Sequence, residues 1–284
     1  MKRWLLVLLV SAMTSACAGA ETGQRPPQPT SPPTTESPPP SPQPSPQPTA
    51  SPSPTRQITL ELWFSKGGKL FLTKRTATFQ PAVARLALTA LLRGPTTAER
   101  RAGVGSAIPR NTTLRGINVA NGVATVDLSR EISGTSGEEE LRLAVAQIVY
   151  TVTQFGTVKA ARFEFAGRSI GPRPQTRRIH APLLPAIVVD SPAIGASVSS
   201  PVTVQGTANV FEATVSLRIL DSRGREIART FTTATCGTGC RGRYSKSVRF
   251  SVSTEQPGTI EVFEESAENG QPINVVTIPV SLRP

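Results

Sequence analysis

Fourteen of the chain's 27 prolines fall between residues 26 and 54, and nearly all the residues between them are Ser, Thr, Gln or Glu. Such a tract has no apolar side chains to offset its ordering entropy, so it builds no core. Proline holds φ near the polyproline II value with a rise of about 3.1 Å per residue, so the tract reaches roughly 90 Å when extended. It separates a short leader from a folded part that starts near residue 56. In a chain of 284 residues, that leaves room for one or two domains of about 150 residues.

In the leader, Lys2 and Arg3 precede the apolar run Trp4–Val10, and small residues follow from Ser11 to Ala16. The run is far too short to cross roughly 30 Å of hydrocarbon, and it reads as a cleavable export signal. Thr14-Ser15-Ala16-Cys17 resembles a bacterial lipobox, whose cysteine becomes the lipidated first mature residue, although Thr14 stands where that pattern prefers Leu. Ordinary cleavage near Ala16 to Ala20 is the alternative. Cysteine parity favours the lipobox, because Cys236 and Cys240 can pair with each other and lipid on Cys17 then leaves no free thiol. The resulting division is a lipoprotein signal peptide over 1–17, a disordered Pro-rich spacer over 18–55, and folded domains over 56–180 and 186–284. The protein is expected outside the cytoplasm, anchored to the membrane by lipid.

One histidine, three cysteines and two methionines leave little stock for metal or redox chemistry. His-rich metal sites, multi-cysteine zinc modules and haem attachment are excluded, and no cofactor is expected.

Residues 56–180 read as one α+β domain. Ile58, Leu60, Leu62 and Phe64 alternate with Thr59, Glu61, Trp63 and Ser65 as in a half-buried strand, and Gly67-Gly68 turns the chain into a second strand over Lys69 to Ala77. Pro81 is placed to open a helix that Gly94-Pro95 closes. Asn121-Gly122 is a two-residue hairpin signal between Leu114–Ala120 and Val123–Leu128. A second helix is predicted from Gly137 to Phe155, with Glu138, Glu139 and Glu140 at its positive end and a stripe that includes Leu141, Ile148 and Val152. A last strand, Val158 to Ala166, leads into a Pro/Arg-rich link.

Residues 186–284 alternate without a helical period, as in Val215, Leu217 and Ile219 or Val276, Ile278 and Val280. Turn residues recur every 8–12 positions, which favours a two-sheet sandwich.

The first segment resembles the GerMN domain of spore germination and sporulation proteins. The resemblance rests on Leu60-Glu61-Leu62-Trp63-Phe64, Leu88 to Pro95, Ser106-Ala107-Ile108-Pro109, Gly122 to Ser129, and Gln147 to Thr153. The second resembles the immunoglobulin-like domain of bacterial spore germination proteins, through Ser191-Pro192, Val204 to Ala208, Asn209 to Val215, Thr232-Thr233-Ala234 and Val262 to Ala267. The expected fold is therefore an α+β GerMN-like domain followed by an all-β immunoglobulin-like sandwich. The resemblance implies an extracytoplasmic, non-catalytic module.

Several chemical motifs fail on context. Gly167-Arg168-Ser169-Ile170-Gly171 fits a G-x-S-x-G nucleophile elbow, but Pro172 and Pro174 make the helix that an elbow needs implausible. Cys236-Gly237-Thr238-Gly239-Cys240 lacks zinc-site spacing and reads as a short disulfide. His180 reads as an ordinary linker residue. Glu261, Glu264, Glu265 and Glu268 could hold a cation, yet read better as a solvated strand edge and turn. Asp127 and Glu131 are the nearest approach to a paired-carboxylate site for glycan cleavage, and Asp127 belongs to the hairpin pattern. No catalytic residues and no metal ligands are assigned.

The remaining signal is charge. Residues 56–180 hold 19 Lys+Arg against 8 Asp+Glu, whereas 181–284 hold 9 of each. The excess of +11 in the first domain, with Arg168, Arg173, Arg177 and Arg178 at its carboxyl end, suits an anionic partner. The candidates are a cell-wall polymer, an anionic membrane surface or an envelope protein. Nucleic acid is not expected, since aromatic side chains are not interleaved for base stacking. A lipid-anchored envelope protein that binds and scaffolds is the leading reading, and an accessory lipoprotein modulating a membrane sensor is the alternative.

Overall fold

The computed structural model describes residues 56–284, so the export signal, Cys17 and the Pro-rich spacer lie outside the described residues. Two ten-residue strands, β1 (Gln57–Lys66) and β2 (Lys69–Thr78), form an antiparallel hairpin turned at Gly67-Gly68. The helix α1 (Val83–Leu92) follows. It starts two residues after Pro81, because Ala82 takes a non-helical ψ of 57° as the N-cap. A short helix α2 (Thr97–Arg101), absent from the sequence reading, is set by a capping box: Thr96 Oγ1 accepts from Glu99 N, and the Glu99 carboxylate accepts from Thr96 N.

Next come β3 (Leu114–Ala120) and β4 (Val123–Leu128), joined at Asn121-Gly122. Both turn residues have positive φ, 51° and 77°, the requirement of a type I′ turn. A 3-10 turn over Arg130–Gly134 leads to α3 (Glu138–Val152) and then β5 (Ala160–Phe165). The helix ends three residues short of Phe155, and Gln154 turns back onto the backbone of Glu61. β4 and β5 run parallel, with α3 as their crossover.

The expected Pro/Arg-rich link is instead a strand, β6 (Arg168–Gln175), antiparallel to β5. Pro172 and Pro174 argue against a central strand, but β6 is the edge of the sheet β3-β4-β5-β6, where the outward N–H groups need no partner. The β5–β6 turn at Ala166-Gly167 has φ of 53° and 79°, so the G-x-S-x-G stretch is a hairpin with no helix behind it.

Beyond a 3-10 turn at Ala181–Leu183 come β7 (Ile187–Ser191), β8 (Ser197–Val198), β9 (Val202–Ala208), β10 (Thr214–Leu220), β11 (Glu226–Thr233), β12 (Gly242–Val248), β13 (Gln256–Glu265) and β14 (Pro272–Leu282). They form a five-stranded sheet, β11-β10-β13-β14-β8, and a three-stranded sheet, β12-β9-β7. The protein is thus an α+β domain followed by a β-sandwich. Val215, Leu217 and Ile219 turn inward and are almost fully buried, as the alternation predicted.

The core of the first domain is wider than one helical stripe. The second half of α3 is buried on nearly every side, including Gln147, Tyr150 and Thr151. These polar groups have work on the outer edge of β1. Gln147 Nε2 donates to Trp63 O at 3.1 Å, its Oε1 accepts from Ala107 N at 2.8 Å, and Thr151 Oγ1 accepts from Trp63 N at 3.1 Å. Side chains of α3 thereby stand in for a third strand beside the hairpin.

Candidate functional site

A cleft of about 860 Å³ lies between the α+β domain and the sandwich. From the first domain, β1 contributes Glu61 and Trp63, α3 contributes Tyr150, and the segment after β6 contributes Arg177. From the second, β7 contributes Asp190, and the entry to β12 contributes Arg241, Arg243 and Tyr244.

Arg177 is held on three sides. Its Nε donates to Thr153 Oγ1 at 2.8 Å and its Nη2 to Tyr150 O at 2.8 Å, which fastens it to the carboxyl end of α3. Its Cζ lies 4.9 Å from the Tyr150 ring centroid and 6.0 Å from that of Trp63. The Tyr150 hydroxyl donates to the Arg177 carbonyl at 3.1 Å, so the residues clasp each other. A cation at the negative end of a helix is favourably placed. Arg241 is fixed in the second domain, where its Nη groups donate to the carbonyls of Pro185, Ala186 and Thr207. It ties the inter-domain segment to β9.

Burial pulls both guanidinium groups below the usual arginine range and pushes the Tyr150 and Tyr244 phenols up. Both arginines, one from each domain, act on Tyr150 in the opposite direction through their charge. Among the described residues, none of Arg177, Arg241, Arg243, Glu61 and Asp190 has an opposite charge within 4.0 Å. Four of the five are half-buried, Arg243 being the exposed one. Trp63 is buried, and its indole N–H has no acceptor among the described residues.

Of the four arginines singled out in the sequence, Arg168, Arg173 and Arg178 are exposed, with Arg168 and Arg173 on β6. Arg177 does not belong with them: it packs inward on aromatic rings and helps line the cleft. Cys236 and Cys240 are joined by a disulfide whose loop lies on the segment before β10. There Thr238 N donates to Val210 O, and Gly239 N donates to Asn209 Oδ1, both at 2.9 Å.

His180 is no ordinary linker residue. It is only 3% exposed, and neither ring nitrogen has a hydrogen-bond partner among the described residues. Asp127 is engaged structurally, accepting from Gly167 N at 3.0 Å and pairing with Arg115 at 3.4 Å, while Glu131 is exposed. In the acidic group of the sandwich, Glu261 pairs with Arg218, Glu265 with Arg229, and the buried Glu264 accepts from Phe211 N and Asn274 Nδ2. Among the described residues, no cluster of His, Cys, Asp and Glu has the makings of a metal site.

The cleft residues Glu61, Trp63, Tyr150, Asp190 and Arg241 were not visible as a group in the sequence. They come from four separate segments, and no spacing rule joins those segments. The one local hint is Arg241-Gly242-Arg243-Tyr244, two arginines directly after the disulfide.

Residues 62–171 match a family described as sporulation and spore germination. Residues 186–271 match one described as the immunoglobulin-like domain of bacterial spore germination. No curated protein matches the chain. Among solved structures, it is similar to the first GerMN domain of the sporulation protein GerM from Bacillus subtilis, at 20% identity and a TM-score of 0.34, covering 43% of this chain and 98% of that one. It is also similar to the tandem GerMN domains of the same protein, at 12% identity and a TM-score of 0.35, covering 80% of this chain and 61% of that one. The chain carries, in order, a sporulation and spore germination domain and an immunoglobulin-like domain of bacterial spore germination.

Proposed function

We propose that this is a non-catalytic binding and scaffolding protein of the cell envelope, of the sporulation and germination GerMN type, held at the membrane by lipid on Cys17. The observation that carries the reading is the pairing of two germination-associated domains in one chain whose first domain alone holds the basic excess, +11 against zero. The three exposed arginines near the end of the first domain offer charge to an anionic wall polymer, membrane surface or envelope protein. The carboxylates that a glycan-cleaving site would need are tied up in structure or exposed.

Two measurements test it together. In detergent phase partition, the wild-type chain should enter the detergent phase and Cys17→Ala should stay in the aqueous phase. A soluble wild-type protein that begins beyond Cys17 would refute the anchor. In cosedimentation, the purified chain should bind isolated wall polymer or anionic vesicles, and absence of binding to either would refute the envelope contact.

A further inference from the structure

We propose that the cleft between the two domains binds a small zwitterionic ligand, a short peptide or amino acid, with its carboxylate on Arg177, Arg241 and Arg243 and its ammonium on Glu61 and Asp190. The proposal goes beyond envelope attachment and does not depend on it.

The first support is a set of ionic groups without a close partner. Partly desolvating an ion is costly unless an opposite charge or a set of hydrogen bonds offsets it. Here five ionic side chains line one cleft and, among the described residues, none is paired within 4.0 Å; the charge of Glu61 reaches Arg177 only from farther away. The carbonyls that hold Arg177 and Arg241 explain where these side chains point, but a carbonyl dipole does not neutralise a cation. Nor are their donors used up. A guanidinium has five N–H groups, and the Nη1 of Arg177 and the Nε of Arg241 donate to none of the described residues. The Arg243 side chain makes no hydrogen bond among the described residues.

The second support is preorganisation. Arg177 is locked by Thr153, Tyr150 and the Trp63 ring, and Arg241 by three carbonyls. Side chains already fixed before a ligand arrives lose little entropy on binding it. Guanidinium groups suit carboxylates in particular, because the fork of donors matches the two oxygens.

Charge of both signs then selects the ligand class. A polyanion placed against the arginines would also meet Glu61 and Asp190. A ligand with an ammonium group turns those two carboxylates from repulsive to attractive. The volume of about 860 Å³ lies within the range of about 300–1,000 Å³ usual for small-molecule sites and is ample for two or three residues. Since the groups come from both domains, such a ligand would fasten one to the other.

The test is calorimetry on the full chain with trialanine, N-acetyl-trialanine and trialanine amide, which carry both charges, the anion alone and the cation alone. Trialanine should bind saturably, and capping either end should weaken it roughly tenfold or more. Arg243→Gln and Asp190→Asn alter side chains that hold no hydrogen bond among the described residues, so both variants should fold. Arg243→Gln should weaken trialanine several-fold, and Asp190→Asn should narrow the gap between trialanine and its acetylated form. Equal affinities for all three peptides, no saturable binding of trialanine up to about 10 mM, or indifference to both substitutions would overturn the proposal. Detergent partition does not involve the cleft, so this failure and that of the anchored reading are distinguishable.

Discussion

The side-chain amide of Gln154 satisfies both backbone groups of Glu61: its Oε1 accepts the Glu61 N–H and its Nε2 donates to the Glu61 carbonyl, each at 2.8 Å. One turn earlier Thr151, and two turns earlier Gln147, do the same for Trp63. The outer edge of β1 is therefore closed by a helix rather than by a strand, and this holds Glu61 and Trp63 in the wall of the cleft. An unpaired strand edge invites association with other chains, and covering it is one way to prevent that.

Gln147 is fully buried, so Gln147→Leu would leave the Trp63 carbonyl and the Ala107 N–H without partners. Each orphaned group costs about 1–3 kcal/mol, so the variant should lose about 2–6 kcal/mol in denaturant unfolding. A loss below about 0.5 kcal/mol would mean that water or rearrangement replaces the amide.

His180 should make stability depend on pH in a window of its own. Burial, and secondarily the charge of Arg142, lowers its folded pKa below the ordinary 6.5. The unfolded chain then binds the proton more readily than the folded one. Its contribution is complete above the unfolded value and is lost as pH falls through the folded value. The unfolding midpoint should therefore drop on acidification below about 6.5, before the hydrogen-bonded carboxylates Asp221, Glu226 and Glu255, whose ordinary values are 3.8 to 4.5, begin to titrate. In His180→Leu this first drop should vanish. Its persistence would assign the effect to another group.

Elements with strong local signals were legible in the sequence: the β1–β2 and β3–β4 turns, the strands of the sandwich, and both long helices to within a few residues. The losses have physical reasons. β6 was missed because Pro172 and Pro174 forbid a central strand but not an edge, and edge position is a property of the assembled sheet. α2 has only five residues, too few for a periodic pattern, although its Thr96–Glu99 capping box can be read from the sequence. His180 and Arg177 were read as exposed link residues, yet both are partly or wholly buried at the end of the first domain. Burial of a segment without periodicity depends on what packs against it. The cleft was illegible for the same reason, since its charged groups meet only once both domains are folded.

The disulfide should stabilise modestly. A loop this short removes about 2 kcal/mol of unfolded-chain entropy, so Cys236→Ser should lose about that much. The loop also rests on Val210 and Asn209, and Arg241 follows Cys240 directly. Loosening it should thus be felt at the cleft, and any peptide affinity should fall in the same variant. Alkylation without reductant should label neither Cys236 nor Cys240 in the exported protein. Complete unfolding of Cys236→Ser would show that the loop contributes far more than chain entropy.

The four arginines near the end of the first domain should separate into two kinds of effect. Arg168, Arg173 and Arg178 are exposed, so reversing all three to Glu changes the charge by six without touching the core. Adsorption to anionic vesicles or purified wall polymer should weaken sharply while the unfolding midpoint holds. In wild type the same adsorption should fall as salt rises, because the Debye length shrinks from about 10 Å at 0.1 M to about 3 Å at 1 M. Arg177→Glu should behave differently. It removes two hydrogen bonds at the end of α3 and sets a carboxylate against the Tyr150 carbonyl, so it should destabilise the domain by about 2–4 kcal/mol. Adsorption indifferent both to salt and to the triple reversal would show that the basic excess is no binding surface. It would then reflect only a composition in which arginine outnumbers lysine 25 to 6.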